Sequence, residues 1–494
     1  MKAFTEPLLS LAGFEEMTKT AEKSSGLISV TGCIDAQKSQ MIYAFGGHRK
    51  NKLIVTFGEQ KAKELYDEYS FFDKEVVYYP SKDVLFYQSD IRGNLLTAER
   101  IRALKAIREQ ERVTLVTTFD ALMNTMAPIE KMWENVLTLE QGQLLDLKEI
   151  QAALIRMGYE KEYQVQTMGQ FSVRGGILDV FPLTEENPIR IELWGDEIDT
   201  IRYFDCESQK SIENIDRVSI YPAAELVLSD EEKAGGIEKL KAEAKRVSDK
   251  LRKQMKTEEA HRVTVMADEL IEEWGELSMY AGMDAFLSYF FDERVGLLDY
   301  FKPSDSLIFF DELTRCTEQG KLTETEFSES MKQRLAMGYI LPGQMNGLFT
   351  EKEIVAKLEK YSCIALGALD NKANGLHQLG SYGIHCQSVS PYNNSFELLI
   401  KDLKRYKENG YRVILLSGSR TRAKRLSEDI TDQGITCFYT ENYDHELFEG
   451  QIMVCYGKVR RGFEYPILKF AVITESDIFG AQQKKKKRHR TYEG

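Results

Sequence analysis

Proline is scarce in this 494-residue chain, with 10 in all, and cysteine is limited to seven. So few prolines, beside 43% hydrophobic and 29% charged residues, exclude a disordered, collagenous or mucin-like chain. The cysteines, at 33, 206, 316, 363, 386, 437 and 455, are odd in number, scattered, and include no CxxC pair. Such usage fits reduced thiols in the cytoplasm and not a disulfide framework. No apolar run approaches the roughly 20 residues that span a bilayer, so no membrane partner is expected. The opening residues 1–17 are acidic and lack the apolar centre of a signal peptide. The six histidines show no metal-ligand spacing, and there is no G-x-S-x-G elbow. Neither a metal site nor a catalytic residue is expected.

What is abundant is acid. The chain has 78 acidic against 65 basic residues, a net charge of −13. Residues 484–490 read KKKKRHR, and setting aside 484–494 removes six basic residues and one acid, leaving a body of −18. A body this acidic is poorly suited to a broad phosphate-binding surface. The basic run reads either as a solvated linker or as a contact for nucleic acid or an acidic protein.

The length suggests about three domains. Residues 1–135 alternate buried-strand runs (26–32, 52–57, 75–80, 113–119) with helical stretches (36–45, 58–69, 97–110), the rhythm of an α/β parallel sheet. From 136 to 222 the pattern becomes α+β. A helix is expected at 147–159, then a meander from FSVRGGILDVFPL (171–183) and IRIELWGDEIDTIRYFD (189–205), turning at Gly195-Asp196. Residues 229–300 read as mostly helix, opening with Ser229 and Glu232 at capping-box spacing. Apolar strands return at 302–313 and 364–369, and residues 393–478 form a further small α/β unit.

The segment VTGCIDAQKS (30–39) carries half of a phosphate loop. Gly32, Lys38 and Ser39 stand at the G-x-x-x-x-G-K-[ST] spacing after an apolar strand. Gln37 replaces the second glycine, and Asp35 places a carboxylate where phosphates would lie. The complementary half is Leu307-Ile308-Phe309-Phe310-Asp311-Glu312, with Asp311 at the Mg²⁺-holding position. Both halves in order indicate a degenerate nucleotide-binding core, and no nucleotide binding is expected from it.

The meander carries a different chemistry. Strict alternation puts Arg190, Glu192 and Trp194 on one face, with Ile189, Ile191 and Leu193 on the other. Arg174 lies on the neighbouring run. Arginine and tryptophan are enriched at binding hot spots. A tryptophan covering the sheet edge beneath a stacked cation is the alternative.

The order of these blocks resembles the nucleotide-excision-repair protein UvrB: the degenerate loop, VVYYPSKDVLFYQ (76–88), VTTFDALM (117–124), FSVRGGILDVFPL, and the strand ending in GDEID. Lacking a usable phosphate loop, and a Tyr-rich hairpin between 88 and 113, it is more similar to the bacterial transcription-repair coupling factors. The similarity runs from about 15 to 480, through YFFDERVGLLDYF (289–301) and VITESDIFG (472–480).

The resemblance implies a RecA-like domain formed by 1–135 and 223–385, interrupted by a UvrA-binding insert at 136–222. A small domain at 393–478 and a basic linker at 479–494 would follow. It implies UvrA contacts through Arg174, Arg190 and Trp194, the last an aromatic swap if the family commonly has Phe. RNA polymerase and double-stranded DNA would be engaged by parts beyond 494, with ATP and Mg²⁺ in the motor located there. On this reading the fragment is an adaptor that recruits UvrA to stalled RNA polymerase. The rival is a UvrB-like ATP-dependent helicase, which needs Gln37 to be tolerated and a DNA-gripping element.

Overall fold

The computed structural model describes residues 1–45, 49–84, 91–276, 282–373 and 375–480. The basic run 484–490, nearly all of the 479–494 segment, and the end of the VVYYPSKDVLFYQ block lie outside these residues. Among the described residues, no helix is long and apolar enough to cross a membrane.

Seven strands form the large sheet, in the order Gln378–Gly383, Gly26–Thr31, Ser362–Leu366, Ser306–Asp311, Asn51–Thr56, Val113–Thr118, Val77–Tyr79. Every neighbouring pair is parallel, giving the α/β class read from the apolar runs. The inner strands are nearly continuous in hydrophobicity because each supplies two cores. Ile28, Val30, Ile54 and Phe309 fill one face, while Leu27, Leu53, Val55, Ile308 and Phe310 fill the other. The Ser306–Asp311 strand lies between Ser362–Leu366 and Asn51–Thr56, so segments from before and after the insert share one sheet. One member, Gln378–Gly383, was not foreseen; its QLGSYG sequence carries no apolar pattern and it sits at the sheet edge.

The insert is a six-stranded sheet with helix Leu147–Arg156 sharing its core. Asp146 caps that helix, accepting from the backbone N–H of Lys148 at 2.8 Å. The chain enters and leaves through an antiparallel ladder pairing Leu137–Glu140 with Arg217–Ile220. The 171–183 run is two strands, Gln170–Arg174 and Ile177–Val180, folded about Gly175-Gly176.

Helix Ile91–Glu109 carries the insert's footing. It starts six residues earlier than the periodicity suggests. Lys105 pairs with Glu185 at 3.0 Å, Arg102 donates to the Leu183 carbonyl at 3.1 Å, and Tyr221 donates to Glu109 at 2.6 Å. Just past the insert, Glu225 accepts from Arg100 at 2.7 Å and pairs with Lys82, which reaches Asp284 at 2.6 Å. Burial alone would raise the Glu225 carboxyl, but Arg100 and Lys82 outweigh it and lower it to about 2.

The 229–300 stretch resolves into a hairpin of helices Asp230–Lys253 and Thr257–Glu276, followed by short turns. Ser229 and Glu232 do form a reciprocal cap: Ser229 Oγ accepts from the Glu232 N–H at 3.1 Å, and Glu232 from the Ser229 N–H at 3.3 Å.

The small α/β unit centres on Arg412–Ser417, parallel to Ile452–Tyr456 and Phe470–Thr474. Its sheet also takes Gln387–Ser388, which lies before residue 393. Ile414, Leu416, Met453, Cys455, Phe463 and Tyr465 join the same core as Ile28, Val30 and Met41. Tyr465 donates to Gln40 at 2.9 Å, and Gln40 donates to the Phe4 carbonyl at 2.7 Å. The two units are therefore joined through buried contacts.

Candidate docking face and a closed phosphate loop

The parallel sheet delivers Lys38 and Asp311 to one point. Lys38 lies in the first turns of helix Asp35–Ala44, and Asp311 ends its strand. The ammonium is 2.6 Å from Asp311, 3.0 Å from Glu312 and 3.3 Å from Asp35. Burial would lower this ammonium, but Asp311 and the other acids outweigh it and hold it raised. Asp311 also accepts from Thr56 Oγ1 at 2.8 Å. Ser39 is buried, with no hydrogen-bond partner for its hydroxyl.

Three N–H groups at the start of the loop are already committed. Gly32 and Cys33 donate to the Ala368 and Gly367 carbonyls at 3.1 and 3.0 Å. Gln37, wholly buried, accepts from the Ile34 N–H at 3.2 Å. A phosphate cradle depends on such donors being free. Gly32 has φ +80°, and a Cβ there would come within 2.0 Å of the Ile384 carbonyl oxygen. The glycine thus accommodates the edge strand's passage across the loop. Burial raises the Cys33 thiol to about 11, which leaves it unreactive at neutral pH. Among the described residues, no three His, Cys, Asp or Glu side chains are arranged to hold a metal ion.

The meander brings Arg190, Glu192 and Trp194 to one face, because Ile189 and Ile191 alternate into the insert core. The three proposed contact residues differ sharply in environment. Trp194 is 84% exposed at the Gly195-Asp196 turn, where Gly195 adopts φ +62°. The Arg174 side chain is 39% exposed and stands 6.0 Å from the ring of Tyr163, itself exposed. That of Arg190 is only 12% exposed, gripping Asp179 by Nε at 2.8 Å and Nη2 at 2.9 Å.

Arg190 also donates to Gln209 at 2.8 Å and lies 4.2 Å over Phe204. Its direct opposite across the ladder is Arg202. Like charges so placed repel, and each has its own acid: Asp179 for Arg190, and Glu192 at 2.6 Å for Arg202. The bond from Arg202 lowers the Glu192 carboxyl. Beyond Trp194 lies a concavity of about 570 Å³ lined by Glu140, Glu197, Asp199 and Asp216 among others. Alternation along Ile189–Trp194 does not point to Asp179, Arg202 or Tyr163. A lone acid inside the apolar ILDV strand was the available signal for the first.

Comparison with known proteins falls on this insert. Residues 137–226 match the family profile of the UvrB interaction domain. The chain as a whole is similar to proteins called transcription-repair-coupling factor. It is 28% identical to that of Bacillus subtilis strain 168 over 437 residues, covering 88% of this chain and 36% of that protein. To that of Staphylococcus aureus strain MRSA252 it is 27% identical over 484 residues, covering 96% of this chain and 40% of the relative. To that of Staphylococcus haemolyticus it is 26% identical over 471 residues, covering 93% and 39%. The resemblance read from the motif order is thus borne out over about nine tenths of the chain, which spans about two fifths of the length of these relatives.

Proposed function

We propose that this chain is the adaptor portion of a transcription-repair coupling factor, recruiting UvrA to RNA polymerase stalled at DNA damage. UvrA docks on the insert, against the sheet face that presents Trp194, Arg174 and Arg190. One observation carries this reading: a tryptophan 84% exposed shares a face with two arginines inside the segment that matches the UvrB interaction domain. Exposed aromatic and arginine side chains on a rigid sheet supply contact area with little ordering cost.

The parallel-sheet domain acts as a scaffold. Its lysine is held by three acids and the Gly32 and Cys33 N–H groups bond to carbonyls, which supports a core without ATP turnover. In the whole-length protein, RNA polymerase binding and ATP-driven translocation on double-stranded DNA belong to other parts of the chain. Pull-down of purified UvrA by the chain tests the docking. Capture that Trp194→Ala diminishes supports it, and absence of capture by the wild type refutes it.

A further inference from the structure

Asp179 sits where a carboxylate is costly. Its strand neighbours Leu178 and Val180 are fully buried, and its own side chain is 2% exposed. A buried acid is tolerated when paired, yet a buried ion pair gives a fold little that an apolar side chain would not. What it does supply is geometry. Both carboxylate oxygens engage Arg190, and one of them, Oδ2, also receives Arg174 Nη2 at 3.4 Å from the adjacent strand. A two-pronged bond fixes the plane of a guanidinium as a single contact does not. Phe204 beneath and Gln209 beside it complete the seat. The Nη1 edge of Arg190 is left on the side away from the carboxylate.

We infer that Asp179 is the positioning residue of the docking face, holding Arg190 and Arg174 in the arrangement a partner meets. The inference rests on the docking reading above. Without this carboxylate the two cations repel, and their side chains must be ordered anew on binding.

Isothermal titration of the full chain with purified UvrA tests it. Asp179→Asn is expected to weaken binding fivefold or more, and to weaken a variant carrying Arg174→Ala and Arg190→Ala together by less than twofold, since its effect runs through those two guanidiniums. Asp179→Glu, which restores the charge, is expected to recover part of the loss. A purely structural role would lower affinity by the same factor in both backgrounds, and that result overturns the inference. So does a loss below fivefold for Asp179→Asn while Trp194→Ala binds weakly; docking then stands and positioning falls. Failure of the wild type to bind UvrA removes the docking reading itself. If Asp179→Asn does not fold by circular dichroism, Asp179→Ser decides, because it also removes the carboxylate and leaves both guanidiniums in place. A fivefold loss supports the inference, and a smaller one overturns it.

Discussion

The Lys38 ammonium donates to the Asp311 carboxylate at 2.6 Å, joining the two halves of a nucleotide site to each other. In a working site the lysine charge faces terminal phosphates and the acid faces Mg²⁺. Here each supplies the other's counter-ion, and Glu312 and Asp35 surround the same ammonium. A phosphate arriving at this point would meet carboxylates, with the Gly32, Cys33 and Ile34 N–H groups already in use.

Lys38→Met should therefore be costly to stability. It leaves Asp311, with 2% side-chain exposure, without its cation, and breaking a buried pair costs about 3–5 kcal/mol. Urea denaturation followed by circular dichroism measures this. A variant as stable as wild type would mean the ion cluster is not formed.

ATP should not bind this chain. Calorimetry with Mg²⁺-ATP is expected to show no heat above dilution. Micromolar binding abolished by Lys38→Ala would reverse the reading of the loop.

The Glu225 network gives stability a defined acid dependence. The folded carboxyl is lowered to about 2, against an ordinary value near 4.5. A lowered carboxyl contributes stability above its unfolded value and loses it as pH falls toward its folded one. Glu225→Gln should destabilise the chain at neutral pH, and the difference from wild type should shrink between about pH 4.5 and pH 2. Chemical denaturation across that range reads it; a difference independent of pH contradicts the pairing.

At the seam between the two α/β units, Glu68 behaves oppositely. Burial raises its carboxyl to about 7. A raised group contributes stability below its unfolded value and loses it as pH climbs through the folded one. Glu68→Gln is expected to raise the melting temperature at pH 8 and to change it little at pH 4. Equal shifts at both pH values would refute the assignment.

The elements legible in the sequence are those whose burial leaves a periodic trace. GLISVT, VTLVTT and SLIFFD announce themselves because both of their faces are packed. Gln378–Gly383 and Gln387–Ser388 left no such trace, being edge strands with half-exposed or exposed side chains. The pairing of Arg217–Ile220 with Leu137–Glu140 joins segments about 80 residues apart, beyond any local pattern. At the docking face, alternation placed Arg190 and Trp194 together, but it could not show that Arg190 is pinned and Trp194 free. That difference comes from Asp179 on the next strand, a contact set by sheet register.

Titration of purified UvrA into the chain carrying Arg174→Ala, Arg190→Ala and Trp194→Ala together tests the adaptor role most directly. Each change is expected to cost about 1–3 kcal/mol of binding, so the triple variant should show no measurable heat while folding normally by circular dichroism. Wild-type affinity in that folded variant would contradict the account.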